Sequence, residues 1–234
     1  MSIDHEPSDQ LEVSHVNDDQ WYVQVRARLS LDRLSSYLSA ANGDERAGLR
    51  LYVWNASLSG AFWPVLHMNE VIFRNAVAAV LTRVYGTDWH YNPTFLESMP
   101  AVSRSAFVTE REKLSDSVRR KRRGLIAGDV VARQTYQFWV SMLTARYEDR
   151  LWKRHLTLGF PNLGKGVTRE VLWRETDSIR RFRNRIAHHE PLLADDVAAQ
   201  YTVLNRLIQW VCPTTAAWVV KEWPVESVVS ARPS

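Results

Sequence analysis

Residues 51–80 read LYVWNASLSGAFWPVLHMNEVIFRNAVAAV. Leu51, Trp54, Leu58, Phe62, Val65, Ile72, Ala76 and Val80 recur at three, four or seven residues, with one slip between Val65 and Ile72 that Met68 or Asn69 fills. Apolar side chains at that spacing share one face of an α-helix. The stretch therefore predicts a long amphipathic helix from Asp44 to Tyr85. Pro64 predicts a kink or a split inside it, because proline has no N–H to donate and its ring crowds the preceding turn. Gly86 predicts its C-terminal cap.

Helical signals continue on both sides. Upstream, Leu29 to Ala41 predicts a first helix, with Ser30 or Asp32 near its cap and Asn42-Gly43-Asp44 as its stop. Downstream, Trp89 to Pro100 carries two prolines and reads as a loop. Ser103 to Arg123 reads as a charged helix that closes before Gly124. A third apolar helix is expected from Asp129 to Thr144, continuing or restarting as Tyr147 to Leu156, with a turn at Pro161-Asn162-Leu163-Gly164. Thr168 to His189 predicts a strong helix with Glu170 in its first turn. Pro191 ends it, since the residue before a proline is pushed out of the α region. Asp195 to Val211 and Thr214 to Trp223 close the chain, separated by Pro213. Glycine and proline number nine each in 234 residues, and so few breakers favour long helices over a many-turned β sandwich. The expected fold is all-α, with six to eight helices in one domain over residues 21–234, behind a flexible acidic tail at residues 1–20.

The composition, 45% hydrophobic and 24% charged, is that of a soluble globular protein and excludes collagen-like and wholly disordered chains. No apolar window is long enough and free enough of charge to predict a membrane span. Residues 1–20 lack the basic and then apolar pattern of a signal peptide. A single cysteine, Cys212, excludes an intramolecular disulfide and a Cys-rich zinc site, and fits a reducing cytoplasm. It reads as a small buried hydrophobe. The formal net charge is +4, but residues 1–20 hold six acidic and no basic side chains, so residues 21–234 carry +10. A basic body invites an anionic partner, nucleic acid above all.

The chemistry concentrates in Arg183-Asn184-Arg185-Ile186-Ala187-His188-His189-Glu190-Pro191. These residue types suit phosphodiester cleavage. A histidine can take a proton from a 2′-hydroxyl or give one to a leaving oxygen. An arginine can hold the phosphate and steady its developing charge. Asn184 can orient a neighbour. On a helix, Asn184 and His188 are about 40° apart and share a face, whereas Arg183 and His188 are about 140° apart and do not point together. Either the arginine wraps round, or a second copy of the helix completes the site across a two-fold axis. The competing reading is a helix end whose histidines merely suit the dipole. A metal site fits poorly: adjacent His188 and His189 diverge by about 100°, and no His-Glu-x-x-His spacing occurs. No cofactor is expected.

Arg183-Asn184-x-x-x-His188 resembles the R-N-x-x-x-H signature of HEPN ribonuclease domains, and R-N-R-I-A-H-H-E-P resembles its version in the Abi-like (abortive infection) family of bacteria. Leu51-Tyr52-Val53-Trp54-Asn55 through Glu70-Val71-Ile72-Phe73-Arg74-Asn75 is similar to that family's first long helix with its E-x-x-x-R-N. Val130-Val131-Ala132-Arg133 through Tyr136-Gln137-Phe138-Trp139-Val140, with Tyr147-Glu148-Asp149-Arg150-Leu151-Trp152, is similar to its central helices. The likeness spans roughly residues 45–195 in the family's order, and departs at Gln137, where glycine is expected, and at Asn69, where an apolar residue is commoner. It implies a HEPN-type helical bundle, a homodimer with the motif helices at the interface, and metal-independent RNA cleavage to a 2′,3′-cyclic phosphate. On that likeness Arg183 is the phosphate contact, His188 the general acid/base, Asn184 a positioning residue and His189 an alternative base. It also implies a toxin of phage defence restrained by an antitoxin protein or a small RNA.

Two further groups carry double readings. Glu70 and Arg74 are spaced i, i+4, which suits an ion pair worth about 0.3–0.5 kcal/mol. The sharper reading sets Glu70, Arg74 and Asn75 beside the motif helix as orienting partners. Arg119-Arg120-Lys121-Arg122-Arg123, flanked by Arg111 and Lys113, is either a solvated helix end or a grip on RNA phosphates, with Arg185 as a further RNA contact. Ten tryptophans, including Trp54, Trp63, Trp139 and Trp152, could stack on bases, but most lie at helix-core spacing and read as core or dimer packing. Phe73-Arg74-Asn75-Ala76 and Phe182-Arg183-Asn184-Arg185 echo each other, but three matching residues do not establish a duplication. A non-catalytic RNA-binding dimer and a scaffolding dimer are the competing functions.

Overall fold

A computed structural model describes residues 18–233, with side chains from residue 22. The tail expected at residues 1–20 lies outside the described residues up to residue 17, and residues 18–20 already belong to a helix. The described residues form twelve α-helices and no strand: α1 (Asp18–Leu29), α2 (Leu31–Ala40), α3 (Glu45–Tyr85), α4 (Pro93–Ser98), α5 (Ala101–Arg120), α6 (Ala127–Arg133), α7 (Tyr136–Ser141), α8 (Lys153–Gly159), α9 (Arg169–Ala187), α10 (Val197–Val211), α11 (Pro213–Glu222) and α12 (Val225–Ser230). The fold is all-α, as expected, with more helices than the six to eight predicted. Seven helices reach ten residues or more, and the surplus is five short ones. None of the described helices is long and apolar enough to cross a membrane.

The surplus has local causes. Ser30 adopts φ 67° and caps α2 with its side chain, so the helix expected from Leu29 to Ala41 is α2, and α1 is an additional helix before it. The expected loop at 89–100 is a 3-10 turn, Trp89–Tyr91, followed by α4, because Asn92 accepts from the Phe95 N–H and Pro93 opens the helix. The expected helix 129–144 breaks at Gln134, since Thr135 caps α7 by accepting from the Phe138 N–H. Restart after Thr144 passes through a 3-10 turn and a π turn before α8. By contrast Pro64 does not split α3, which runs unbroken to Gly86, at φ 88°.

The described residues divide into two compact units, residues 18–54 with 233, and residues 55–232. In the first, Tyr22, Leu34 and Leu49 are buried, with Leu29, Leu38 and Tyr52 packed on them. Gly48 lets α3 approach α2 closely, since a Cβ there would sit 3.0 Å from Leu38 Cδ2.

In the second unit the core stripe of α3 passes through Leu58, Phe62, Val65, Asn69, Phe73, Val77 and Val80. The slip is thus filled by Asn69, and Phe73 takes the place expected of Ile72. Phe62 meets Phe182 of α9 edge-on at 4.9 Å and Tyr201 of α10 at 6.1 Å. Phe73 meets Tyr136 of α7 at 5.7 Å. These contacts fix α9 and α7 beside the middle of α3. Cys212 is half-buried between α10 and α11 rather than buried, and a hydrogen bond with Thr215 lowers its thiol pKa.

His90 is fully buried beside Trp89, and neither ring nitrogen has a hydrogen-bond partner. Burial lowers its pKa below the ordinary 6.5, with the Arg111 charge acting in the same direction and Asp88 opposing. The unfolded chain therefore binds the proton first, and stability is lost as pH falls below 6.5 toward the folded-state value. His90→Phe keeps a ring of similar size and removes the proton. Urea midpoints from pH 8 to pH 5 should fall less in His90→Phe than in the wild type; parallel curves would contradict this.

Candidate active site

The middle of α3 carries a second stripe, opposite in character to the core. Trp63, His67, Glu70 and Arg74 fall within about 60° of one another around the helix axis. Together with Leu66 and Val71 of α3 and Arg183 of α9 they line an open cleft of about 130 Å³. The stretches Glu70–Asn75 and Arg183–His189 thus meet in one cleft through Glu70, Arg74 and Arg183. The echo between them acquires a spatial sense: Phe73 and Phe182 are both buried, and Arg74 and Arg183, the next residues, both line the cleft.

The two arginines are poorly satisfied. Arg183 Nε lies 3.7 Å from Glu70 Oε2, an ion pair beyond hydrogen-bond length, and its guanidinium sits 5.5 Å from the Trp63 ring centroid. Arg74 Nε is buried with no hydrogen-bond partner. The expected ion pair between Glu70 and Arg74 does not form within the hydrogen-bonded range; Glu70 faces Arg183 instead. Neighbouring arginines of α9 are committed elsewhere. Arg180 and Arg181 both bind Asp177, the former at 2.7 Å. Arg185 reaches Glu190, Asp195 and the Pro191 carbonyl. Arg185 thereby clamps the loop that follows α9. Arg74 and Arg183 are the two cations that line the cleft, and both have donors to offer an anion.

The rest of the motif sits outside the cleft. Asn184 is half-buried, and His188 and His189 are exposed beyond the last residue of α9. His188 is the C-cap, its N–H bonded to the Asn184 carbonyl at 2.9 Å. His189 takes φ 57°, with its N–H on the Ile186 carbonyl and the Glu190 N–H on the Arg185 carbonyl. This is a Schellman turn with histidine in the left-handed position usually given to glycine. Asn55, buried on α3, latches the outgoing chain: its Oδ1 accepts from the Leu192 N–H at 2.7 Å and its Nδ2 reaches the Glu190 carbonyl at 3.5 Å. Asn75 is exposed and does not line the cleft.

The basic run is less uniform than its sequence. α5 ends at Arg120, and Arg122 adopts φ 57° in a second Schellman turn, so the helix stops short of Gly124. Arg119, Arg120, Lys121 and Arg122 are exposed. Arg123 is bound bidentately by Asp129 at 2.5 and 2.6 Å, and that bond holds the Asp129 pKa down at about 2.

Two lining residues, Trp63 and His67, lie outside the sequence motifs. Trp63, which reads as core or dimer packing, is 47% exposed, because the position after core residue Phe62 turns outward. The signal was the spacing Trp63, His67, Glu70, Arg74, a polar stripe aligned along one helix face. Asn69, the departure from the family pattern, is explained by a buried partner: Tyr136 Oη donates to Asn69 Oδ1 at 2.9 Å. Burial raises the Tyr136 pKa, reinforced by the Glu70 charge nearby, so it stays a donor. Asn69→Leu should cost about 1–3 kcal/mol by stranding that hydroxyl. Adding Tyr136→Phe should recover most of it, because removing both partners leaves nothing unpaired. A double-mutant cycle of urea denaturation checks this, and additive losses would contradict it.

No three His, Cys, Asp or Glu side chains gather into a cluster among the described residues. No family model, curated protein or solved structure matches the chain.

Proposed function

We propose that this chain is a metal-independent endoribonuclease of the HEPN type, an Abi-like effector of bacterial abortive-infection defence acting in the cytoplasm. The observation that carries the reading is the meeting of Arg74 and Arg183, both short of partners, in one open cleft with Glu70. A phosphodiester offers those guanidinium groups the acceptors they lack. In this reading Arg183 holds the scissile phosphate and His188 transfers a proton, with Asn184 positioning and His189 as the alternative base. Glu70 keeps Arg183 oriented until the phosphate arrives. Attack of the 2′-hydroxyl leaves a 2′,3′-cyclic phosphate.

The proposed enzyme is a homodimer. His188 stands exposed at the end of α9 and outside the cleft, which suits a site completed by a second copy. The exposed cations Arg119 to Arg122 supply affinity for the RNA backbone without sequence choice. An antitoxin protein or a small RNA is the proposed restraint.

The test is incubation with total cellular RNA in excess chelator, beside Arg183→Ala and His188→Ala. Cleavage by the wild type alone, with cyclic-phosphate ends, is expected. Intact RNA in all three samples, with all three proteins folded, would overturn the reading. It would favour the alternative of a non-catalytic RNA-binding dimer. Salt-sensitive retention of uncut RNA would identify that alternative.

A further inference from the structure

The cleft contains a histidine that the R-N-x-x-x-H string does not include. His67 is exposed and lines the same cleft as Arg74 and Arg183. It shares the α3 stripe with Trp63, Glu70 and Arg74, one turn from the first two and two turns from the third. No other histidine lines that cleft among the described residues.

RNA transesterification requires two proton transfers on opposite sides of one phosphorus. A base takes the proton of the 2′-hydroxyl, and an acid protonates the departing 5′-oxygen. In-line geometry places those two oxygens apart, so a single imidazole does not serve both in one step. His188 supplies one group under the proposed function, with His189 only an alternative to it, so the second group has no residue of its own.

We infer that His67 is the second proton-transfer residue of the cleavage site, acting with His188 supplied by a second copy of the chain on a phosphate held by Arg74 and Arg183. The inference rests on the ribonuclease reading. The balance closes without a co-reactant: the bond from the 2′-oxygen to phosphorus forms and the bond from phosphorus to the 5′-oxygen breaks. One histidine gains the hydroxyl proton while the other gives its proton to the 5′-oxygen. Trp63 beside the cleft offers the adjoining nucleotide an aromatic face.

The experiment compares wild type, His67→Ala, His67→Gln, His188→Ala and Arg183→Ala on a short RNA in chelator across pH. The charged groups lining the cleft with His67 are Glu70 and Arg74 on its own helix and Arg183 from α9. Both His67 variants should lower kcat about 10²- to 10⁴-fold with little change in KM. The pH–rate profile should lose one limb, and added imidazole should restore part of the rate to His67→Ala. His67 is exposed, so both variants should keep the thermal midpoint of the wild type. Wild-type rates and an intact profile in the His67 variants, with Arg183→Ala and His188→Ala inactive, would overturn the inference and leave the ribonuclease reading standing. Absence of cleavage by the wild type would overturn both.

Discussion

Arg183→Ala is expected to slow RNA cleavage by about 10²- to 10³-fold, the usual loss when a donor to the transition-state charge is removed. Arg183 faces Glu70 at 3.7 Å and rests near the Trp63 ring, so its guanidinium is oriented in the free protein without spending a hydrogen bond. Its donors are available to a phosphate, and their strength grows as charge builds on the non-bridging oxygens. Arg183→Lys should recover only part of the rate, because an ammonium offers a point charge where the guanidinium offers a planar fork. Folding should hardly notice either change, since a partly exposed ion pair is worth at most about 1 kcal/mol. Single-turnover cleavage and thermal melts measured together check both halves. A rate within threefold of wild type, or a large fall in thermal midpoint, would contradict the role.

Phe62→Ala should have the largest effect on stability. Phe62 is fully buried and contacts Phe182 of α9 and Tyr201 of α10, so its ring fills the junction of three helices. Removing a buried aromatic ring of this kind costs about 3–5 kcal/mol. That is a large share of the roughly 5–15 kcal/mol by which domains are stable. Phe62→Leu keeps much of the volume and should cost far less. The urea midpoint should fall steeply for the alanine variant at an unchanged slope. Because Phe182 precedes Arg183, the alanine variant should also lose cleavage at temperatures where it remains folded. Similar midpoints for wild type and Phe62→Ala would show that the junction is not tightly packed.

The sequence was most legible where a pattern repeated. The period of α3 runs over some forty residues, and no local preference competes with it for long enough to break it, Pro64 included. Short helices were not legible, because each depends on one capping side chain, such as Asn92 or Thr135, whose polarity reads equally well as a loop. Within the site, Glu70, Arg74 and Arg183 were visible as motif residues. The loop-clamping partners of Arg185 were not legible, because Asp195 lies ten residues on, across a turn that brings the two together. A single tryptophan such as Trp63 reads first as packing, and a single histidine such as His67 belongs to no motif. Only their alignment with Glu70 and Arg74 on one helix face gives them meaning.

The left-handed turn at His189 changes how the paired histidines should be dissected. A non-glycine residue in that conformation costs about 1–2 kcal/mol. An alanine scan would therefore remove the imidazole yet leave a side chain that suits the turn no better, and a loss of rate could reflect a displaced His188. Glycine removes the imidazole while favouring the same backbone path. The informative comparison is thus His189→Gly against His188→Ala: one probes chemistry with the turn preserved, and the other removes the side chain at the C-cap itself.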